Sequence, residues 1–326
     1  MNFQKLLNVE TSDKYLDFAF LAAKKRAEEL ATTKANDKLS KSKKIESERI
    51  TTARNTLISH MLNILKSFPQ FDDLPDFYQE LVKITIDFRD LKKSLGAVGW
   101  ALKKIDFFFK DYNRKILRTR DMKKVNVYRR EFYGRISSVM KQIRNDLNFL
   151  EEVRKKMKAF PNIKTSLKTT CIFGFPNVGK STLLGKITDA KPEIKNYAFT
   201  TKRLNLGTYI HNEKRYQFVD TPGTLDRFNN MNEIEQQAYL ALKYCCDTVV
   251  YVFDLTESYS FDKQFKLFEN LKKIKNDVPV FVYLSKIDLV DKSKVTEFEK
   301  EFNKKYKTIK VFTDKDKLVK ETIKSI

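Results

Sequence analysis

Apolar side chains recur every three or four positions through the first half of this chain and gather into short unbroken runs in the second half. The first pattern predicts helices and the second buried strands. Leu16, Phe20, Ala23, Ala27 and Leu30 form one stripe, with Ser12 or Asp13 as the capping residue. Ile50, Ala53, Leu57, Met61 and Leu65 form a second, in a helix from about Asp37 to Lys66 that Phe68-Pro69 ends. Pro75 and Asp76 open a third, whose stripe runs Phe77, Leu81, Ile84, Phe88, Leu91, Leu95, Val98, Leu102, Ile105, Phe109, Tyr112, Ile116. One helix with that seam would hold about 40 residues and span roughly 60 Å. A fourth stripe runs from Val125 through Phe132, Ile143 and Leu150 to Met157. Four such helices predict an elongated antiparallel bundle. Gly96 and Gly99 would either loosen the third helix or let a neighbour approach near Trp100.

Phe160-Pro161-Asn162 marks the expected boundary between a bundle over residues 1–162 and a second domain over 163–326. Strand-like runs there are Thr169–Phe173, Arg203–Ile210, Arg215–Val219, Val249–Phe253, Val280–Leu284 and Thr308–Phe312. Helical patterns at Ser181–Thr188, Glu233–Tyr244, Phe261–Lys275, Lys292–Phe302 and Asp316–Ile323 alternate with them. The alternation predicts a three-layer α/β domain around a mostly parallel six-stranded sheet.

Composition narrows the class. The 326 residues suffice for two cores, and no window approaches a membrane span, so no membrane partner and a cytoplasmic location are expected. Cys171, Cys245 and Cys246 are too few and too irregularly spaced for a disulfide framework or a zinc site, and read as buried thiols. The net charge is +22, and it is uneven: residues 1–165 carry 36 Lys and Arg against 21 Asp and Glu. A polyanionic partner, nucleic acid before membrane, is the functional reading, and a lysine-rich coding bias is the bland one.

The chemistry lies in the second half. Gly174-Phe175-Pro176-Asn177-Val178-Gly179-Lys180-Ser181 fits the phosphate-binding P-loop, G-x-x-x-x-G-K-[ST], between a predicted strand and a predicted helix. Its glycines let backbone amides, with Thr182 just inside the helix, wrap a phosphate. Lys180 can reach the β- and γ-phosphates, and the Ser181 hydroxyl can ligate Mg²⁺. Thr201, with Thr200 beside it, can complete the magnesium shell and sense the γ-phosphate. Asp220 ends a strand where it can hold Mg²⁺ through water, and the Gly223 amide can bond the γ-phosphate. Lys180, Thr201 and Gly223 are thus the expected catalytic set, and Ser181, Thr201 and Asp220 the metal set. Asp288, in Ser285-Lys286-Ile287-Asp288, can accept from guanine N1 and the 2-amino group, donors that adenine lacks, and a buried Asp288 would reject adenine strongly. The Lys286 stem can cover the base. Ser285 stands where Asn is commonest, and its shorter side chain predicts a looser brace on the P-loop.

Together these motifs resemble a TRAFAC-class GTPase. G-F-P-N-V-G-K-S-T from Gly174, A-F-T-T-K from Ala198, D-T-P-G-T-L-D-R from Asp220 and N-E-I-E-Q-Q-A-Y-L-A-L-K from Asn232 are similar to the nucleolar GTP-binding protein family, the Nog branch of the Obg group. Ile234, Glu235, Gln237, Ala238, Ala241 and Leu242 match its helix after the third motif, and Ala23-Lys24-Lys25-Arg26-Ala27 resembles a segment of its N-terminal bundle. The resemblance covers essentially the whole chain, in the manner of a short archaeal-type member. It implies an N-terminal helical bundle and a P-loop GTPase domain, with GTP and GDP as ligands. It also implies a slow Mg²⁺-dependent hydrolysis and a role in assembly of the large ribosomal subunit. Thr224 follows Gly223, so no Gln orients a water. The guanine-cradling Ser-Ala motif is not recognisable, and Thr313, with Asp314, is its candidate replacement. Asn177 holds the position that in related GTPases helps bind K⁺, which could offset developing charge, or it merely fits the loop.

Other readings stay open: a nucleotide-binding scaffold with negligible turnover, or another Obg-group role in translation or stress. For docking on ribosomal RNA, residues 103–158 carry 18 Lys and Arg against 7 Asp and Glu. Lys103, Lys110, Arg114 and Arg118 share one helix face by their spacing, and Arg120, Lys123, Lys124, Arg129 and Arg130 continue the patch. A monomer away from the ribosome is expected.

Overall fold

A computed structural model describes residues 3–32, 37–188, 204–221 and 233–326, with side chains from residue 236 in the last stretch. Thr200, Thr201, Gly223 and Thr224 therefore lie outside the described residues. Contacts divide the chain into two compact units. One comprises the residues up to Asp73 with Val82–Lys158, the other Leu74–Leu81 with Ala159–Ile326.

The first unit is helical. Its elements are α1 (Ser12–Ala31), α2 (Lys38–Ser67), the end of α3 (Asp76–Thr85), α4 (Phe88–Arg118), α5 (Met122–Gln142) and α6 (Arg144–Lys158). Thr11, one residue earlier than expected, caps α1, and Asp37 caps α2 by accepting from the amides of Leu39 and Ser40. α2 packs on α1, α4 and α5, and α4 on α5 and α6. Ile50, Leu57, Met61, Ile105, Phe132 and Ile136 are wholly enclosed among them.

Two of the four expected helices are broken. The third stops at Thr85 and restarts at Phe88, because Asp87 takes an extended backbone and its Oδ1 accepts from Arg89 N and Asp90 N, each at 3.0 Å. The apolar stripe runs through this break because it reports which face is buried, not whether the hydrogen-bond ladder is continuous. Ile84, in the expected seam, is 42% exposed. α4 holds 31 residues, so the single long rod is shorter than expected, about 46 Å. The fourth helix breaks at Ile143, which stays buried so that the seam carries across. Neither alternative for Gly96 and Gly99 holds: α4 runs unbroken through both, and a Cβ at either would meet nothing within 4 Å.

The second unit carries a six-stranded sheet of order β2-β3-β1-β4-β5-β6. Its strands are β1 (Thr169–Phe173), β2 (Asn205–His211), β3 (Lys214–Asp220), β4 (Thr248–Asp254), β5 (Val280–Ser285) and β6 (Val311–Phe312). Among the described residues only the β2–β3 pairing is antiparallel. Side chains of β4 split by parity: Val249, Tyr251 and Phe253 enter the core under α8 (Glu233–Cys245), α9 (Phe261–Ile274) and α10 (Lys292–Lys305). Val250 and Val252 enter the core under α7 (Lys180–Ile187) and α11 (Lys315–Lys324). The three thiols are buried. The neighbouring Cys246 thiol and burial push Cys171 up, and burial pushes Cys245 up to about 12, so neither is a reactive thiolate. Leu74–Leu81, expected in the bundle, packs in this unit: the Tyr78 hydroxyl is shared between Pro161 O at 2.9 Å and Ile163 O at 2.8 Å. Among the described residues no helix is long and apolar enough to cross a membrane.

The cap at Asp87 is testable. Asp87→Ala should lower stability by about 1 kcal/mol, while Asp87→Ser should recover most of it. A shifted urea midpoint at unchanged slope is the expected record.

Candidate functional site

The loop after β1 is shaped by close approach. Gly174 has φ +148°, and a Cβ there would lie 2.7 Å from Val252 O on the neighbouring strand. Asn177 follows at φ +62° and Gly179 at +98°, after which α7 starts at Lys180. Positive φ at a Gly-Asn-Gly spacing suits the residues that tolerate it. Phe175 stacks on Tyr259, with centroids 4.4 Å apart.

Lys180 is 7% exposed, and its Nζ donates to Phe175 O at 2.6 Å. Burial lowers the affinity of this ammonium for its proton, with Asp220 opposing. Asp220, at the end of β3, is 5% exposed. The Ser181 hydroxyl donates to Asp220 Oδ2, and Asn205 Nδ2 donates to the same oxygen at 3.0 Å. Burial raises the Asp220 carboxyl above the usual range, against the pull of Ser181, Lys180 and Asn205. A hydroxyl on a buried carboxylate that lacks full charge compensation is an arrangement a divalent cation fits.

Ser285, expected to brace weakly, reaches the loop: its Oγ donates to Val178 O at 2.6 Å and to Phe253 O at 3.0 Å. Lys286 adopts φ +53°, and its Nζ donates to Asp254 Oδ2 at 2.7 Å. Asp254 is fully buried at the end of β4. Burial opposes its charge, but Lys286 and Thr256 outweigh that and hold the carboxyl below the usual range. Gln264 Oε1 accepts from Asp254 N at 2.9 Å, and its Nε2 donates to Asp254 O at 3.0 Å. Asp254, Asn205 and Gln264 were not singled out from the sequence. Asp254 was legible by the argument used for Asp220, as an acid at the end of a strand, here after the apolar run Val249–Phe253.

A cavity of about 510 Å³ joins the two ends of the site. Asn177, Gly179, Lys180, Ser181 and Thr182 line one side, and Tyr283, Ser285, Lys286, Asp288 and Leu289 the other, with Lys186 on α7. Asp288 lines it but is exposed rather than buried, because its 3₁₀ turn (Ile287–Leu289) lies beyond the end of β5. Thr313 is not among the lining residues, and Asp314 beside it caps α11 by accepting from Lys317 N at 2.8 Å.

On the helical unit, Lys103, Lys110, Arg114, Arg118, Arg120, Lys123, Lys124 and Arg130 are exposed. Lys110, Arg114 and Arg118 line a shared hollow of about 330 Å³ with Phe109 and Leu117. Lys110 also pairs with Asp106 at 2.8 Å. Arg129 departs from the expected patch: it is half-buried and 2.7 Å from Glu46 Oε2, a charge contact without hydrogen-bond alignment.

Gly174→Ala should cost about 2–3 kcal/mol, from positive φ and the Val252 carbonyl together. Gly185→Ala on α7, where a Cβ meets nothing within 4 Å, should be neutral or slightly stabilising. Equal urea midpoints for the two variants would contradict this packing.

The NOG1 N-terminal helical domain matches residues 3–164, and the 50S ribosome-binding GTPase family matches residues 169–286. The uncharacterised protein MJ1408 of Methanocaldococcus jannaschii is 36% identical over 296 residues, 90% of this chain and 83% of that protein. Nucleolar GTP-binding protein 1 of Drosophila melanogaster is 31% identical over 89% of this chain, which spans only 44% of that relative. Era of Aquifex aeolicus, solved with GDP and AlF4⁻, is 29% identical over 49% of this chain and 57% of that one, at a TM-score of 0.41. With its helical and GTPase segments matched in this order, the chain belongs to the nucleolar GTP-binding protein family of GTP-binding GTPases.

Proposed function

We propose that this chain binds and slowly hydrolyses GTP as a switch, docking on ribosomal RNA during assembly of the large ribosomal subunit. The observation that carries the reading is the single cavity with Lys180 and Ser181 on one side and Lys286 and Asp288 on the other. Its two ends suit a phosphate chain and a purine base.

In this reading the loop Gly174 to Thr182, with Phe175, Pro176 and Val178 shaping it, wraps the phosphates, and Lys180 meets the β- and γ-phosphates. Ser181, Asp220 and Thr201 would hold Mg²⁺, which when bound neutralises charge on the phosphates. The Gly223 amide bonds the γ-phosphate, so its release on hydrolysis frees the segment that follows. Thr224 in place of Gln leaves no side chain to orient a water, which keeps unassisted turnover slow. Ser285 steadies the loop from beneath, and Lys286 covers the base. The match to the 50S ribosome-binding GTPase family, together with the excess of 11 positive charges over residues 103–158, supports the ribosomal partner. A face of this kind grips phosphates without reading sequence, so specificity would come from RNA shape.

Asp288→Asn should weaken GDP binding on the order of 10- to 100-fold, the loss of a charged double acceptor. Xanthosine diphosphate, whose 2-oxo group accepts from the Asn amide, should recover part of it. Calorimetry in which wild type binds ADP as well as GDP would refute the assignment.

Reversing Arg114, Arg118 and Lys124 to Glu should weaken co-sedimentation with large-subunit precursors and reduce its salt slope by about two to three, with GDP binding intact. Wild-type affinity across salt would move the docking face elsewhere. Turnover that stays negligible with precursors present would favour the scaffold reading, and equal binding to mature subunits a role in translation.

A further inference from the structure

Guanine presents three groups on its pairing edge: the N1 proton, the 2-amino group and the 6-oxo acceptor. A carboxylate is acceptor-only, so Asp288 can serve the first two and not the third. A buried oxo group left without a donor would weaken the discrimination. The loop expected to supply that donor does not line the cavity. β6 is two residues long, and the Asp314 side chain behind it is turned to the first turn of α11.

The side-chain donors on the base side of the cavity are few among the described residues. The Ser285 hydroxyl is committed to Val178 O and Phe253 O, and Lys286 Nζ to Asp254. Lys186 is exposed on α7. Among the side chains on that side, the remaining donor is the phenol of Tyr283. This residue lies on β5, paired in register with Phe312, the last residue of β6. Its ring is half-buried against the core under α7 and α11, and it is the only aromatic residue lining the cavity among the described residues. Its hydroxyl makes no hydrogen bond among the described residues. Burial first, then the charges of Asp314 and Asp288, push the phenol upward, so at neutral pH it keeps its proton and is a donor.

Resting on the guanine-nucleotide reading of this cavity, we infer that Tyr283 reads the 6-oxo group of the base, taking the part of the cradle that the short β6 loop does not supply. Guanine is then held from two positions of one segment: Tyr283 on β5 donates to the 6-oxo group, and Asp288 in the turn that follows accepts from the other two groups. The ring's packing fixes where the hydroxyl stands, so little rotamer freedom is lost on binding.

Calorimetry with GDP and 6-thio-GDP tests this, because sulfur is a weak acceptor while N1–H and the 2-amino group are kept. Wild type should prefer GDP by about fivefold or more, the range of one neutral hydrogen bond. Tyr283→Phe should lose that factor for GDP, leave 6-thio-GDP unchanged and so abolish the preference. The ratio is insensitive to the fraction of folded protein. Lys186→Ala should keep the wild-type ratio, and this second variant stands even if Tyr283→Phe does not fold. An unchanged ratio in Tyr283→Phe, or a preference lost in Lys186→Ala, overturns the role of Tyr283 while leaving GDP binding in place. Wild type that binds neither ligand defeats the nucleotide reading itself.

Discussion

The approach of Gly174 to the Val252 carbonyl is the constraint on which the second unit is built. Parallel strands β1 and β4 must run side by side to the same end, and the chain leaving β1 must turn away at once, across the end of β4. A Cβ cannot occupy that gap. The loop that results has three residues in the left-handed half of backbone space, Gly174, Asn177 and Gly179. Such conformations persist only when the surroundings over-determine them. Here the surroundings are the wholly apolar interior of β4 beneath, the Ser285 hydroxyl against Val178 O, and the ring of Phe175 on Tyr259. The long antiparallel edge made by β2 and β3 brings Asn205 and Asp220 beside Ser181.

The helical unit solves a different problem. Its core is apolar and its surface strongly basic, so its helices must meet along narrow seams while their charges stay in water. Some of the charge that enters is paired across helices: Arg54 from α2 meets Asp106 of α4, and Glu46 of α2 meets Arg129 of α5, while the buried Arg154 pairs with Glu151 on its own helix α6. Asp106 also takes Lys110, so one carboxylate, held well into its charged state by Lys110 and Arg54, ties two helices together. These pairs withdraw some of the basic residues from any face offered to a polyanion. That is why a tally of lysines and arginines overstates the patch.

Much of the fold was legible because the features that specify it are periodic. The parity of β4 and the spacing of the apolar seams in α2 and α4 can be read without coordinates. The helix breaks at Asp87 and Ile143 were not, since each preserves the buried face and a stripe carries no record of a broken ladder. Asp87 did leave a trace, an acid two and three residues ahead of the amides it caps. In the site, the glycines, Lys180 and Asp220 stood out because phosphate chemistry demands those types in that order. The reach of Ser285, the exposure of Asp288 and the contribution of Asp254 depend on where strand ends fall relative to one another, which only the assembled sheet decides. Tyr283 was hidden for the same reason, reading as one more apolar position within a strand.

The Ser285 hydroxyl has a single proton shared between two carbonyls, one in the phosphate loop and one on β4. The strand it touches continues into Asp254, which in turn holds Lys286. The two poles of the cavity therefore share one bridge, and stiffness imposed at one pole is inherited by the other. A ligand split into separate nucleoside and pyrophosphate fragments would bind with positive cooperativity, each fragment lowering the ordering cost left for its companion. The intact molecule then gains more than the sum of its parts, through a side chain whose hydroxyl is committed to two carbonyls of the protein.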